Sequence, residues 1–266
     1  MILEREDIDK LNADVNPEDW TLLIPAAGRG TRLGYRPPKI LYPILGRPML
    51  DWLLDIFQDL YKKLIIVVSP EGSASIGEHL GKRSEKNWVL AEQPAPIGMG
   101  DAVLRGLKVS DTLYTACVWG DQAALKRGTV VAGMKVLREY ERASMTLPTI
   151  YSRDPYIHLR RDEKGRITDI LQAREGDVMP PAGESDCGLF FMRSSVVLNY
   201  FKRMKMEEEE IPAKFRGKQS QEFNFLPILS CLSNVVSLRI ISNEEALGVN
   251  TRDDAKRISS YLKERV

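Results

Sequence analysis

Residues 21–32 read TLLIPAAGRGTR, and this stretch decides the fold. Its apolar run at 22–24 has the continuous hydrophobicity of a strand that is buried on both faces. The run leads directly into a loop that contains Gly28 and Gly30. A buried strand that ends in a glycine loop is typical of α/β proteins, in which ligands bind beyond the carboxyl ends of the strands.

The residues that follow repeat this alternation of strand and helix. Apolar runs at 64–68, 88–90 and 115–119 predict buried strands, and helical spacing at 49–61 and 100–109 predicts helices between them. The fold class that we predict is α/β, with a Rossmann-like, mixed but mainly parallel sheet flanked by helices.

The second half of the chain has a different pattern. Strand patterns separated by turn residues predict a smaller β-rich extension, and they fall at 144–151, 156–161, 166–171 and 188–192. Helices are predicted at 130–142, 222–232 and 251–264, the last capped by Thr251, and a strand is predicted at 235–241. We expect residues 1–19 to be an extension outside the main fold. Residues 20–266 would then form one domain, with a nucleotide half at about 20–125, an acceptor half at about 126–250 and a closing helix at 251–266.

Composition excludes several classes of function. The 266 residues carry 38 basic and 37 acidic side chains, and this balance argues against nucleic acid or a membrane surface as the main partner. No apolar run approaches the ~20 residues that span a bilayer, and we expect a cytoplasmic protein. Three scattered cysteines and two histidines support neither a disulfide framework nor a zinc site. The oligomeric state is left open, and a homo-oligomer is compatible with the sequence.

The glycine loop and the residues after it suggest a phosphate site. Backbone amides at Gly28 and Gly30 allow close approach of a phosphate, and Arg29 and Arg32 add guanidinium groups. Seven residues beyond Arg32, two prolines precede Lys39, another candidate counter-charge. The dinucleotide fingerprint fails because it requires glycine at position 33, and no P-loop pattern occurs. A glycine pair by itself also fits an ordinary tight turn.

These two motifs resemble the signature of the sugar-nucleotidyltransferases, in which a strand is followed by G-x-G-T-R, a short spacer and P-K. The seven-residue gap is most similar to the bacterial N-acetylglucosamine-1-phosphate uridylyltransferases. The resemblance implies that Arg32 and Lys39 are catalytic, with Arg32 on the leaving pyrophosphate and Lys39 on the transferred α-phosphate. It also implies that nucleotide is bound by Ala27, Gly28, Gly30 and Thr31.

Residues 91–102, AEQPAPIGMGDA, resemble the base-binding loop of the same family. By this match Gln93 and the backbone at Gly98 would read a pyrimidine. A glutamine amide donates and accepts at once, which suits the imide edge of uracil or thymine. An alternative alignment places Leu90 at the position of the base-binding glutamine.

Two further positions resemble the metal ligands of the family. Asp121 follows the buried strand at 115–119, and Asn250 lies in a G-V-N segment near the end of the domain. The resemblance implies that they bind Mg²⁺, a cation that prefers oxygen ligands. Taken alone, each residue fits a turn or a helix cap equally well.

The acceptor side resembles the family less. The matching positions are Tyr156, Gln172 and Asp186, and the resemblance implies that they contact the sugar. Three of the family's residues are replaced in this chain. The family's glycine is Ile157 here, its glutamate is Gln172 and its asparagine is Asp186. A pocket with different polar groups selects a different acceptor.

Together these residues predict an enzyme whose partners are a nucleoside triphosphate and a phosphorylated small-molecule acceptor. The resemblance implies that UTP or dTTP reacts with a sugar 1-phosphate to give a nucleotide-sugar and pyrophosphate. Three alternatives stay open: a cytidylyltransferase that acts on an alcohol or alditol phosphate, a purine-specific transferase, and a non-catalytic homologue that only binds nucleotide.

Overall fold

A computed structural model of the chain describes residues 1–28, 30–83, 85–205 and 211–265. The strands are β1 (Ile2–Leu3), β2 (Trp20–Pro25), β3 (Pro43–Ile44), β4 (Arg47–Pro48), β5 (Lys63–Val68), β6 (Trp88–Glu92), β7 (Tyr114–Val118), β8 (Met145–Arg153), β9 (Ile157–Arg161), β10 (Ile167–Gln172), β11 (Ala182–Asp186), β12 (Leu189–Arg193) and β13 (Val235–Leu238). The helices are α1 (Arg5–Ile8), α2 (Met49–Ile56), α3 (Pro70–Lys82), α4 (Met99–Val109), α5 (Arg127–Glu139), α6 (Ser194–Arg203) and α7 (Arg252–Lys263). The acidic segment 207–210 lies outside the described residues.

The strands form one large sheet in the order β1-β13-β8-β12-β7-β2-β5-β6, with β11 paired to β8. Most pairs are parallel, whereas β12 runs antiparallel to both β7 and β8. The predicted mixed, mainly parallel sheet is therefore confirmed. The strands β8 and β12, expected in the extension, belong to this sheet, and the antiparallel hairpin of β9 and β10 lies outside it.

Helices cover both faces of the sheet, which explains the continuous apolar runs. In β2, Leu22 and Ile24 pack into one core cluster and Leu23 into another, because neighbouring side chains of a strand point to opposite faces. The first cluster includes residues of α2, α3 and α5, and the second includes residues of α4 and α6.

The order of the strands places a crevice beside β2. From β2 the chain continues to β5 and β6 on one side, and then returns to β7 on the other side. Loops that leave the carboxyl ends of β2 and β7 therefore diverge, and such a reversal of strand order is where open α/β sheets bind ligands. Both the glycine loop and Asp121 follow these two strands.

The N-terminal segment is not an extension outside the fold, which corrects our expectation for residues 1–19. Strand β1 pairs in parallel with β13, and Leu3 and Ile8 are buried in the core. An unpaired β13 would present open backbone groups at the edge of the sheet, and β1 covers them. A two-residue strand is too short to give a periodic pattern, so the sequence did not reveal it.

Two helix predictions differ from the structure. Helix α3 was missed because it contains Gly72, Gly77 and Gly81, which are poor helix formers, although Ser69 caps its first turn. The predicted helix at 222–232 is wrong, since only Leu226–Ser230 is helical there, as a 3-10 turn. None of the helices in the described ranges is long and apolar enough to span a bilayer.

Candidate active site

A cleft of about 690 Å³ opens at the carboxyl ends of β2 and β7. Most of the predicted site residues line it, namely Ala27, Gly28, Gly30, Arg32, Lys39, Gln93, Gly98, Asp121, Tyr156 and Asn250. These positions come from six separate stretches of the sequence, and the fold brings them together. Arg29 and the side chain of Thr31 lie outside the described part of the chain.

The glycine loop forms the floor of the cleft and supports Lys39. Gly30 has a φ of +58°, and a Cβ at this position would lie 2.7 Å from the Cβ of Lys39. A side chain at Gly30 would therefore push Lys39 away from the loop. At Gly28 a Cβ would meet nothing within 4 Å, so its backbone faces open space. The loop thus leaves room for a ligand above Gly28 and holds a lysine beside Gly30.

The ammonium of Lys39 lies between the two predicted metal ligands. Its Nζ donates to Asp121 Oδ2 at 2.7 Å and to Asn250 Oδ1 at 2.9 Å. The second oxygen of the carboxylate, Asp121 Oδ1, is buried and has no hydrogen-bond partner among the described residues. The two oxygen ligands therefore already converge on a cation.

Backbone contacts fix this arrangement. The N–H of Val249 donates to the carbonyl of Asp121 at 3.0 Å, which joins the segment before α7 to the loop after β7. A Cβ at Gly248 would lie 3.3 Å from Asp121 Cγ and 3.3 Å from Asn250 Nδ2. Glycine at 248 therefore lets the two side chains approach one another. The predicted cap is confirmed, since Thr251 forms a capping box with Asp254 at the start of α7.

Gln93 stabilises the loop that was predicted to bind the base. It is only 5% exposed, and its Nε2 donates to the carbonyl of Gly98 at 3.0 Å and to Asp101 Oδ2 at 2.9 Å. Arg105 donates to the same carboxylate oxygen at 2.6 Å. The amide donor of Gln93 is thus engaged inside the protein, which leaves its oxygen as the group that could accept a further hydrogen bond.

A smaller pocket of about 150 Å³ adjoins the cleft on the side of β9 and β10. Tyr156 and Gln172, two of the predicted acceptor residues, line it together with Trp119. Asp186 lies apart, since it is absent from the described linings of both cavities. Its Oδ2 accepts the N–H of Gly188 at 2.9 Å, Oδ1 has no described partner, and burial raises the pKa of the carboxyl.

The sequence did not single out Arg174 and Glu222, which line both the cleft and the smaller pocket. Arg174 follows Gln172 closely, so its position next to a predicted acceptor residue was the available signal. No sequence pattern pointed to Glu222, because only the tertiary path of the segment before Phe223 brings it to the cleft. That segment is joined to residues 91–102, called the base loop here because they were predicted to bind the base. The hydrogen bonds run from Phe223 N to Ile97 O at 2.6 Å and from Gly100 N to Phe223 O at 2.8 Å.

Comparison with known families identifies the chain. The profile of the MobA-like NTP transferase domain matches residues 22–178, which include the glycine loop, Lys39, Gln93 and Asp121. The chain belongs to this family. The family resemblance predicted from the sequence motifs is therefore confirmed.

Relatives of this NTP transferase domain include bifunctional GlmU proteins. The protein from Heliobacterium modesticaldum is 25% identical over 254 residues, and the one from Listeria welshimeri is 26% identical over 253 residues. Each alignment covers 92% of this chain and 52% of the relative. The chain thus spans about half the length of these relatives.

Two solved structures share the fold of this NTP transferase domain. A CMP:2-keto-3-deoxy-manno-octonic acid synthetase in complex with CTP aligns with a TM-score of 0.66 and 12% identity over 94% of this chain and 100% of the other. The 4-diphosphocytidyl-2C-methyl-D-erythritol synthase of Anaerococcus prevotii aligns with a TM-score of 0.63 and 13% identity over 93% of this chain and 100% of the other. The predicted fold class is confirmed by both.

Proposed function

We propose that this NTP transferase domain joins a pyrimidine nucleoside triphosphate, UTP or dTTP, to a sugar 1-phosphate, and releases pyrophosphate. The observation that carries the proposal is the cleft itself. A glycine loop, the cations Arg32 and Lys39 and the oxygens of Asp121 and Asn250 share one cavity at the switch point of the sheet. This set of groups suits a triphosphate whose α-phosphorus is attacked.

The reaction requires positioning and charge neutralisation rather than a general base. An oxygen of the acceptor phosphate, ionised at neutral pH, forms a bond to the α-phosphorus. The bond from that phosphorus to the bridging oxygen breaks, and pyrophosphate leaves with the electron pair. Lys39 would hold the transferred α-phosphate and Arg32 the leaving pyrophosphate, where fixed positive groups offset the charge of the transition state.

Asp121 and Asn250 fit a magnesium ion by the chemistry of their donor atoms. The carboxylate and amide oxygens already hold the ammonium of Lys39, and Asp121 Oδ1 is buried with no described partner. No group of three or more His, Cys, Asp or Glu residues forms a metal site by itself in the described ranges, so phosphate oxygens and water would complete the shell. When bound, Mg²⁺ would neutralise charge on the phosphate oxygens.

The choice of base depends on the oxygen of Gln93. With Nε2 engaged by Gly98 and Asp101, Oε1 would accept a hydrogen bond from the base. The N3–H of uracil or thymine supplies such a donor, and the backbone at Gly98 would contribute the other contact. The resemblance to the uridylyltransferases and the similarity to GlmU proteins favour uracil.

A second candidate is a cytidylyltransferase that acts on an alcohol or alditol phosphate. The specific observation in its favour is that an accepting Gln93 oxygen suits the N4 amino group of cytosine as well as N3–H of uracil. The spacing of the glycine loop and Lys39 is also similar to that of the terpenoid-pathway cytidylyltransferases. A homologue that only binds nucleotide is less well supported, because the chain has all four residues to which the resemblance assigns transfer and metal binding, namely Arg32, Lys39, Asp121 and Asn250.

Substitution of Lys39 by Met tests the proposal. We expect the turnover number for nucleotide-sugar formation to fall by about a hundredfold or more, because one fixed cation at the transferred phosphate is lost. Lys164→Met, at an exposed position on the turn between β9 and β10, is the matched control. Near-normal turnover of Lys39→Met in any reaction that the wild type catalyses would contradict the assignment.

A further inference from the structure

The side-chain amide of Gln93 is held in one orientation by two groups that accept hydrogen bonds and cannot donate them. Its Nε2 donates to the carbonyl of Gly98 at 3.0 Å and to Asp101 Oδ2 at 2.9 Å. A carbonyl and a carboxylate have no proton to give, so the amide must direct its nitrogen at both of them. The opposite orientation would place the oxygen of this buried amide against two other oxygens.

Asp101 is fixed by its helix and by Arg105. It is the third residue of α4 and is only 8% exposed. Arg105, one turn further along α4, donates from Nε to the same Oδ2 at 2.6 Å. Its Nη1 also donates to the carbonyl of Glu92 at 3.1 Å, which anchors the guanidinium at the end of β6. The carboxylate therefore cannot turn away from Gln93 without breaking a charge-assisted hydrogen bond.

The carbonyl of Gly98 is also fully used inside the protein. It accepts the N–H of Ala102 at 3.3 Å in addition to Nε2 of Gln93. In the described part of the chain, the N–H of Gly98 and Oε1 of Gln93 have no hydrogen-bond partner. Gly98 and Gln93 both line the cleft, so together they offer a base one donor and one acceptor.

This pair of groups selects a base by the hydrogen-bonding edge that the base presents. Uracil and thymine present N3–H beside a carbonyl, and cytosine presents its N4 amino group beside N3. Pyrimidin-2-one has neither N3–H nor an amino group, so its edge carries acceptors only. A site with a fixed acceptor rejects an analogue that lacks the matching donor, because the acceptor is then left unpaired.

We propose that Asp101 is a positioning residue for base selection, which holds Gln93 so that only a base with a hydrogen-bond donor on its edge binds tightly. Asp101 is absent from the described lining of the cleft, so it acts through Gln93 and does not contact the base. The inference rests on the function proposed above, in which Gln93 binds the base. It applies equally to uracil, thymine and cytosine.

Removal of the carboxylate shows how the selection arises. Asp101→Ala leaves Arg105 beside the amide of Gln93, and a guanidinium can only donate. Arg105 would then favour the amide oxygen at this point, and only the carbonyl of Gly98 would still favour the nitrogen. The amide would turn in part of the molecules and present Nε2, a donor, to the base. Asp101→Asn keeps an oxygen that accepts from both neighbours, so the original orientation should persist.

The test measures dissociation constants by calorimetry with Mg²⁺ present and no acceptor. The ligands are UTP, CTP and the triphosphate of pyrimidin-2-one riboside. The selectivity ratio is the affinity for the tighter of UTP and CTP divided by the affinity for the pyrimidin-2-one triphosphate. The variants are Asp101→Ala, Asp101→Asn, Gln93→Met, and Gln93→Met combined with Asp101→Ala. The matched control is Glu78→Ala, which removes an exposed i,i+4 ion pair from α3.

We expect a selectivity ratio of about a hundred in wild type, because the analogue leaves the oxygen of Gln93 unpaired. Asp101→Ala should lower the ratio by about tenfold, whereas Asp101→Asn and Glu78→Ala should stay within about threefold of wild type. Damage to the fold alone would weaken all three nucleotides alike and leave the ratio unchanged. Gln93→Met should lower the ratio by itself, and adding Asp101→Ala should then have no further effect.

An unchanged ratio in Asp101→Ala overturns the inference, as does a wild type that binds the pyrimidin-2-one triphosphate as tightly as UTP and CTP. A further change of the ratio when Asp101→Ala is added to Gln93→Met also overturns it, because Asp101 would then act by another route. Failure of the proposed function gives a different result. In that case no triphosphate yields a transfer product with any acceptor, while the ratio still falls in Asp101→Ala.

Discussion

At the scale of single residues, Lys39 has the most informative contacts. Its ammonium lies 2.7 Å from Asp121 Oδ2 and 2.9 Å from Asn250 Oδ1, where the family resemblance implies a divalent cation. Two cations cannot share these oxygens without strong repulsion. Lys39 and a metal ion at this position would therefore compete, and a phosphate that attracts the ammonium would free the oxygens.

This competition predicts how Lys39→Met changes metal binding in the absence of nucleotide. The variant should bind Mn²⁺, a spectroscopic substitute for Mg²⁺, about tenfold more tightly than wild type. The titration is followed by electron paramagnetic resonance of free Mn²⁺. The gain should vanish in Lys39→Met combined with Asp121→Asn. A Lys39→Met protein that binds Mn²⁺ no better than wild type would show that the two cations do not compete.

Asp186 illustrates the cost of a buried carboxyl. Burial raises its pKa above the ordinary value of about 3.9, so the native protein binds this proton more tightly than the unfolded chain does. The stability linked to this proton is present at low pH and is lost as pH rises from about 4 through the raised pKa.

Asp186→Asn should therefore stabilise the protein at neutral pH. Asparagine keeps an oxygen for the N–H of Gly188 and removes the buried charge, so we expect Tm to rise by about 2–4 °C. Thermal unfolding of the wild type and the variant is measured between pH 4 and 8. The loss of stability that Asp186 causes as pH rises should be absent from the variant. Asp14→Asn, at an exposed position, should leave the curve unchanged. A lower Tm for Asp186→Asn at pH 7 would contradict this account.

The sequence was sufficient to predict which residues meet around Lys39, but not which residues meet around Arg174. Gly28, Lys39 and Asp121 follow or lie beside the ends of parallel strands, and strand topology alone brings such positions together. Arg174 and Glu222 meet because a long connection folds back onto the base loop. Contacts of that kind depend on tertiary packing, and no local pattern encodes them.

At the scale of elements, the junction of α4 with the segment before Phe223 shapes the base loop. A Cβ at Gly100, the second residue of α4, would lie 2.3 Å from Phe223 Cδ2. Phe223 is almost fully buried, so its ring cannot move freely. Glycine at this position is thus required by packing and not by backbone conformation.

Gly100→Ala should destabilise the protein by about 1–3 kcal/mol and weaken binding of a fluorescent nucleotide, because Phe223 and the base loop must shift. The matched control is Gly128→Ala, at the second residue of α5, where a Cβ would meet nothing within 4 Å. The control should be stabilised by about 0.5–1 kcal/mol. Denaturant unfolding and nucleotide displacement check both variants. Wild-type stability and affinity in Gly100→Ala would refute the packing argument.

Predictions of elements succeeded where the pattern was local and strong. Strands β2 and β5 are continuous apolar runs, and α7 has both an amphipathic pattern and the Thr251 cap. The predicted helix at 222–232 failed because Pro227 and the backbone bonds of Phe223 to the base loop favour an irregular path. Tertiary contacts in this segment override its local helix propensity.

At the scale of the whole molecule, the near-neutral net charge of +1 is compatible with a local group of cations. Arg32, Lys39 and Arg174 all line one cleft. A local cluster of this kind attracts a small anion at short range, whereas it gives no field that would draw in a polyanion. The overall charge argues against nucleic acid as the main partner, and the fold gathers the cations that the proposed function assigns to phosphate groups.

The account is tested most directly by Mg²⁺-dependent release of pyrophosphate. UTP, dTTP, CTP, ATP and GTP are each combined with a panel of sugar 1-phosphates and alditol phosphates. We expect one pair to stimulate release well above either component alone, with UTP or dTTP as the triphosphate and a sugar 1-phosphate as the acceptor. Release with CTP and an alcohol phosphate would replace this function by the second candidate. Binding of nucleotide without release from any pair would contradict transfer itself.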